Sequence, residues 1–274
     1  MITAMPRVAI AVTDYDEALE TFRTGFGMPV RDLSDQTVPE LGAHVGMCVP
    51  LGGSNIELMA PADPNKPLSQ ALQRFLDRRG VGPYALMLEA PDPDAEADEL
   101  VARGGGVLPL RAGAGGRDVH PRSTHGVLIR IYPDGSFVAD GDRSSRDPGL
   151  SGIITVTVAS PDVVAAAEAY RVGLGLLVGE PEKDRERGLV VARCRPPAGG
   201  EIELVTPIDD RPVARAVARH LADRGSGIYA LTLRADAPAA AVSALTRAPA
   251  VAPAEPVVAD EPAVAVFGTR IRFV

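Results

Sequence analysis

The chain has 274 residues, 46% of them hydrophobic but only 4% aromatic and none Trp, so its cores must be built from Val, Leu, Ile and Ala. A net charge of −8 without a local basic stripe argues against nucleic-acid binding. No run of about 18 apolar residues could span a bilayer, and no charged segment leads into an apolar one as an export signal would, so a cytoplasmic protein without a membrane partner is expected.

An alternating strand opens the chain at Val8–Val12, and Asp14 stands where a helix N-cap belongs. The helix that follows runs to glycines suited to a left-handed C-cap. Three strands are predicted next, the last being NIELMAP (Asn55–Pro61), with Pro61 at its exit. A short helix (Pro67–Arg78), the strand YALMLEA, the helix PDPDAEADELVARGG and further strands ending at GVLIRIYP complete a second unit of the same order. The segment between, rich in Asp, Gly, Ser and Pro, reads as a linker over 135–151.

Beyond the linker the order starts again. Glu40–Leu58 lies without a gap over Glu186–Leu204 with nine of 19 positions identical, and Lys66–Ala90 lies over Arg211–Ala235 with 12 of 25 identical. A repeat of this length is a whole domain. Domains over 5–134 and 152–274 are therefore expected, each made of two strand–helix–three-strand units. Cys48 and Cys194 fall at one repeat position, which suggests two buried thiols and argues against a disulfide.

This order, with HPRSTHGVLIRI (His120–Ile131) and the IEL and YAL strands, resembles the vicinal oxygen chelate superfamily, also called glyoxalase/bleomycin-resistance/dioxygenase, and within it the methylmalonyl-CoA epimerase family. The resemblance implies an α+β fold: four βαβββ units forming two half-open mixed barrels, helices outside, each cupping a divalent metal. It also implies which positions hold that metal. The first-strand histidine aligns with Arg7 and Ile153, the fourth-strand glutamate with Glu57 and Glu203, the second histidine with Ala85 and Ala230, and the last glutamate with Arg130 and Arg272. One donor of four survives in each copy, and an arginine in the shell repels a cation, so no metal and no other cofactor is expected.

Strand alternation puts Arg7, Glu57, Met59, Met87, Glu89, Arg130 and Tyr132 on one inner face. There the guanidinium groups of Arg7 and Arg130 could hold a carboxylate or an enolate oxygen, or could simply neutralise Glu57 in a disused metal site. Glu40 aligns with the glutamate that the epimerase family uses to move a proton next to a thioester carbonyl, and Glu186 matches it in the second copy. His120 and Arg122 are candidate polar lining from the segment Gly113–Gly126. Glu40, Arg130 and Glu57 are thus the expected catalytic set, with Glu186, Glu203 and Arg272 as second-copy equivalents. The expected function is metal-independent proton transfer next to a carbonyl on a small acyl thioester, keto acid or polyketide-like molecule. The alternative is a bleomycin-resistance-type protein that sequesters a drug-like metabolite unchanged. A pseudo-dimer within one chain and a homodimer are both open.

Overall fold

The computed structural model describes residues 1–34, 42–110, 115–136, 149–254 and 262–274. The first copy contains β1 (Ala4–Ala11), α1 (Tyr15–Glu20), β2 (Val30–Asp32), β3 (Ala43–Cys48), β4 (Asn55–Pro61), α2 (Pro67–Arg79), β5 (Gly82–Ala90), α3 (Pro93–Ala102), β6 (Arg117–Val119) and β7 (Leu128–Pro133). The second contains β8 (Leu150–Ala159), α4 (Val163–Glu168), β9 (Leu177–Val178), β10 (Glu182–Asp184), β11 (Leu189–Arg195), β12 (Glu201–Pro207), α5 (Pro212–Arg224), β13 (Gly227–Ala235), α6 (Pro238–Leu245), β14 (Val251–Pro253), β15 (Ala263–Val266) and β16 (Thr269–Phe273).

The local chemistry explains the helix ends. Asp14 Oδ1 accepts from Glu17 N at 2.9 Å, and Asp162 Oδ1 accepts from Val164 N and Ala165 N, each at 3.0 Å, so both aspartates cap orphan amides. Both helices widen into a π-helical turn, Thr21–Gly25 and Ala169–Gly173, before the chain reverses. The reversal uses φ of +64° at Gly27 and +65° at Gly175, a region glycine enters without penalty.

The strands form two open, mixed sheets, ordered β2-β3-β4-β1-β5-β7-β6 and β10-β11-β12-β8-β13-β16-β15-β14, with β9 beside β11. In each copy an antiparallel pair, β1 with β5 and β8 with β13, joins the two units. Neither sheet closes into a barrel. Alternation sorts the apolar residues: Val8, Ile10, Ile56, Leu58, Leu86, Leu88, Ile129 and Ile131 lie on the outer face in a core shared by both copies. Ala9, Ala11, Val45, Met59, Ala85 and Met87 lie on the inner face of the first sheet. Here α2 crosses the inner face and seats Leu68, Leu72 and Leu76 on it, while α5 seats Ala214 and Val217 on the second sheet. Full burial of one such leucine stabilises by about 1.5–3 kcal/mol. The helices that link the units thus lie inside the cups, whereas α1 and α4 pack outside.

The two copies pair within the chain. Ser54 N donates to the Ile153 carbonyl at 2.9 Å, and Ile153 N donates to the Ser54 carbonyl at 2.8 Å. Ser54 Oγ donates to the Met5 carbonyl and accepts from Gly200 N at 2.9 Å. At the other end of the seam, Arg224 Nη2 donates to the Arg79 carbonyl at 3.0 Å. A Cβ on Gly126 would strike the Ser226 carbonyl and one on Gly268 the Val81 carbonyl, so the backbones meet too closely for side chains. Cys48 and Cys194 are free and buried, and burial pushes the Cys194 thiol up to about 12. Among the described residues no helix is long and apolar enough to cross a membrane.

Candidate active site

The inner face of the first sheet divides into an apolar end under α2 and a charged end. Pairing sets the charged end: Arg7 stands opposite Asn55 and Met87, Met87 opposite Arg130, Glu89 opposite Tyr132, and Asp118 opposite Arg130. Arg7, Glu57, Glu89, Asp118 and Arg130 are all at most 8% exposed. Such burial demands partners. Arg7 Nε donates to Glu57 Oε2 at 2.9 Å, and Arg7 Nη1 donates to Ser136 Oγ at 3.2 Å. Ser136 in turn gives its hydroxyl and amide to Glu89 Oε1 at 2.8 and 3.1 Å. Arg130 Nε lies 3.3 Å from Asp118 Oδ1.

Both guanidinium groups lie over one ring. The Cζ of Arg7 is 4.5 Å and that of Arg130 5.2 Å from the centre of Tyr132. Burial alone would lower the pKa of Arg7, but Glu57 and Tyr132 hold it above its ordinary value. Burial also raises the Tyr132 phenol, against the opposing pull of Arg130, so that phenol stays protonated at neutral pH.

At the four positions where the family resemblance implies metal ligands, the strands present Arg7, Glu57, Ala85 and Arg130. Two permanent cations, a methyl group and one carboxylate already bonded to arginine do not suit a divalent ion. Among the described residues no three His, Cys, Asp or Glu side chains are grouped to hold one.

Met59 and Met87 line the cup with Tyr132. Glu40 lies outside the described residues, as do Gly113 and Ala114 of the glycine-rich segment. His120 is not in the charged cluster. It caps a short turn, with Nδ1 accepting from Arg122 N at 3.0 Å, and borders a cavity at the seam; Arg122 is exposed. Asp118 and Ser136 join the cluster although nothing in their local sequence marks them: Asp118 needs the β6–β7 register, and Ser136 lies beyond the last strand.

The second cup has a different filling. Thr155 pairs with Glu201 as Arg7 pairs with Asn55, so strand register puts Thr155 at the place of Arg7, correcting the alignment with Ile153. The correction is two residues, one full pleat, which leaves the faces unchanged. Arg187, from the β10–β11 turn, grips Glu203 with Nη1 and Nη2 at 3.0 and 2.8 Å and Asp184 with Nε at 2.7 Å. Glu186, its neighbour, is exposed in that turn. Arg272 keeps the register position of Arg130, opposite Thr232 on β13, but its β15 partner is Ala263 where β6 offers Asp118.

Residues 7–120 match the model of the Glyoxalase/Bleomycin resistance protein/Dioxygenase superfamily. Among solved structures, a triple mutant of 4-hydroxymandelate synthase from Streptomyces coelicolor aligns over 92% of this chain and 77% of its own, at 15% identity and TM-score 0.64. A xylose isomerase-like TIM barrel/4-hydroxyphenylpyruvate dioxygenase fusion protein aligns over 91% of this chain and 39% of its own, at 18% identity and TM-score 0.60. Both share the tandem fold. Methylmalonyl-CoA epimerase from Mycobacterium tuberculosis covers 48% of this chain and 88% of its own, at 29% identity and TM-score 0.41. No curated protein matches the chain. The similarity to the Glyoxalase/Bleomycin resistance protein/Dioxygenase superfamily thus rests on residues 7–120, in the copy whose fold the second copy repeats.

Proposed function

We propose that the first cup is the active site of a metal-independent enzyme that moves a proton next to a carbonyl, in an isomerase, epimerase, lyase or cyclase reaction. The substrate would be a small acyl thioester, keto acid or polyketide-like molecule. One observation carries this reading: two buried guanidinium groups stand over Tyr132 on the face where the superfamily implies a cation, with donors that do not suit a metal ion. In this reading the N–H groups of Arg7 and Arg130 hold the oxygen on which negative charge develops as the neighbouring carbon loses its proton. Glu57, Glu89 and Asp118 hold the arginines in place, and Glu40 takes and returns the proton. The two free buried thiols favour a cytoplasmic setting.

The test is solvent-deuterium exchange at the α carbon of a panel of branched acyl thioesters and keto acids. Exchange should survive a chelator and fall by at least about 100-fold in Glu40→Gln and in Arg130→Ala. Full exchange in Glu40→Gln would sink the assignment.

A second reading, sequestration of a metabolite without chemistry, is favoured by the pairing itself. Arg7 is already bonded to Glu57, and Arg130 faces Asp118, which makes a neutralised wall as well as a catalytic one. Tight binding with the molecule recovered unchanged and unlabelled would select this reading.

A further inference from the structure

We infer that the seam between the two copies carries a binding site for a small polyanion, a molecule with two or more phosphate or carboxylate groups. The inference does not depend on the function proposed for the first cup. A cavity of about 440 Å³ opens where the C-terminal end of α2 and the start of β5 meet the C-terminal end of α5 and the turn before β7. Arg74, Arg78 and Arg79 reach it from α2, Arg224 from α5, and His120 and His220 flank them. Among the described residues no aspartate or glutamate lines it.

In a chain with net charge −8, four guanidinium groups around one opening need a reason. None of the ion pairs among the described residues engages Arg74, Arg78 or Arg79. Arg224 is pinned by the carbonyls of Arg79, Val81 and Gly268 at 3.0, 3.3 and 3.3 Å, which fixes one cation at the rim. Asp77, on α2, accepts from Gln73 Nε2 at 2.8 Å, and Asp223, on α5, acts on His220 against the arginines. His220 senses the resulting field. Burial first, then Arg224 and Arg79, hold its pKa down to about 4, against the weaker opposing effect of Asp223.

The rest of the lining is apolar: Phe75 meets Tyr84 edge-on at 5.2 Å, with Leu128 and Ile228 beside them. A cavity of this size takes one small molecule rather than a nucleic-acid duplex. Several separate guanidinium groups favour a ligand with more than one anionic group, because each can take its own forked pair of hydrogen bonds.

Titration calorimetry on the full chain tests this, with inorganic pyrophosphate, citrate and inorganic phosphate as separate arms at about 50 and about 200 mM salt. Saturable binding of one pyrophosphate or citrate per chain is expected, at least about tenfold tighter than phosphate and weakened by salt. Whichever of the two polyanions binds more tightly names the source chemistry. Arg74→Gln/Arg78→Gln should weaken binding by at least about tenfold, while Arg215→Gln, exposed on α5 outside the cavity, should leave it unchanged. A melting curve checks the fold of each variant, with Arg74→Gln alone as the milder form. No saturable binding at millimolar pyrophosphate and citrate would overturn the site, as would equal affinity in the double variant or an equal loss in Arg215→Gln.

Discussion

The two cups share a scaffold and differ in what neutralises the central glutamate. In the first, Glu57 is held by Arg7 from the adjacent strand β1, and the pair is sealed from solvent, with side chains 6% and 7% exposed. In the second, threonine replaces that arginine, and Glu203 is held chiefly by Arg187 from a turn, 21% exposed, with the more exposed Arg193 of β11 at 3.6 Å. The first cup stacks Arg7 and Arg130 on Tyr132, whereas Val274 stands at the end of the second. A strand-borne arginine has its position set by backbone hydrogen bonds, so it can present a fixed cation to a ligand. A turn-borne arginine with two carboxylate partners serves first to close the turn. Duplication thus preserved the glutamate, while the source of its counter-charge changed with the neighbouring elements.

Catalysis should separate the cups most sharply. Glu40→Gln and Arg130→Ala should lower exchange by at least about 100-fold, while Glu186→Gln and Arg272→Ala should stay within about twofold of the parent. Comparable losses in both sets would show two working cups.

Stability should separate them next. Glu57→Ala strands a buried guanidinium and should cost about 3–5 kcal/mol in urea unfolding. Glu203→Ala should cost about 1–3 kcal/mol, because Arg187 keeps Asp184 and some solvent. Equal losses would mean that the two pairs are equally sealed.

The seam should respond less than the first cup. Ser54→Ala removes the hydroxyl that bridges the Met5 carbonyl and Gly200 N, and should cost about 1–3 kcal/mol by the same measurement. A neutral result would place the seam's stability elsewhere.

The smallest effect contrasts Phe75 with its repeat counterpart His220. His220 has a folded-state pKa near 4, below the value of about 6.5 expected when unfolded. Between those values the unfolded chain binds the extra proton, so His220 makes stability rise with pH over that window and fall as the medium is acidified. His220→Phe should flatten the melting temperature between about pH 4 and 6.5 relative to the parent. An unchanged slope would assign the acid sensitivity to other groups.

Much of this architecture is legible in the sequence. The helix start at Asp14 follows from side-chain capping, and the inner-face set follows from the two-residue period of a strand. Both are local rules, and the structure shows the Asp14 cap and the alternating faces. The position of α2 was not legible. Leu68, Leu72 and Leu76 show that the helix has an apolar face, but not which side of a sheet it covers. Arg74, Arg78 and Arg79 sit on one helix and form no basic stripe along the chain. They gain meaning only where α5 brings Arg224 to the same opening.

The sequence by itself determined the repeat, the strand faces, the buried thiols and the set of arginines and glutamates that share the first cup, because period, capping and identity are properties of nearby residues. Only the tertiary structure decided the partners. Asp118 reaches Arg130 through a strand pairing, Ser136 reaches Arg7 and Glu89 from beyond the sheet, Arg187 reaches Glu203 from a turn, and the two copies close on each other within one chain. Charge pairing depends on distances between segments far apart in the chain, and those distances are set only once both sheets have packed.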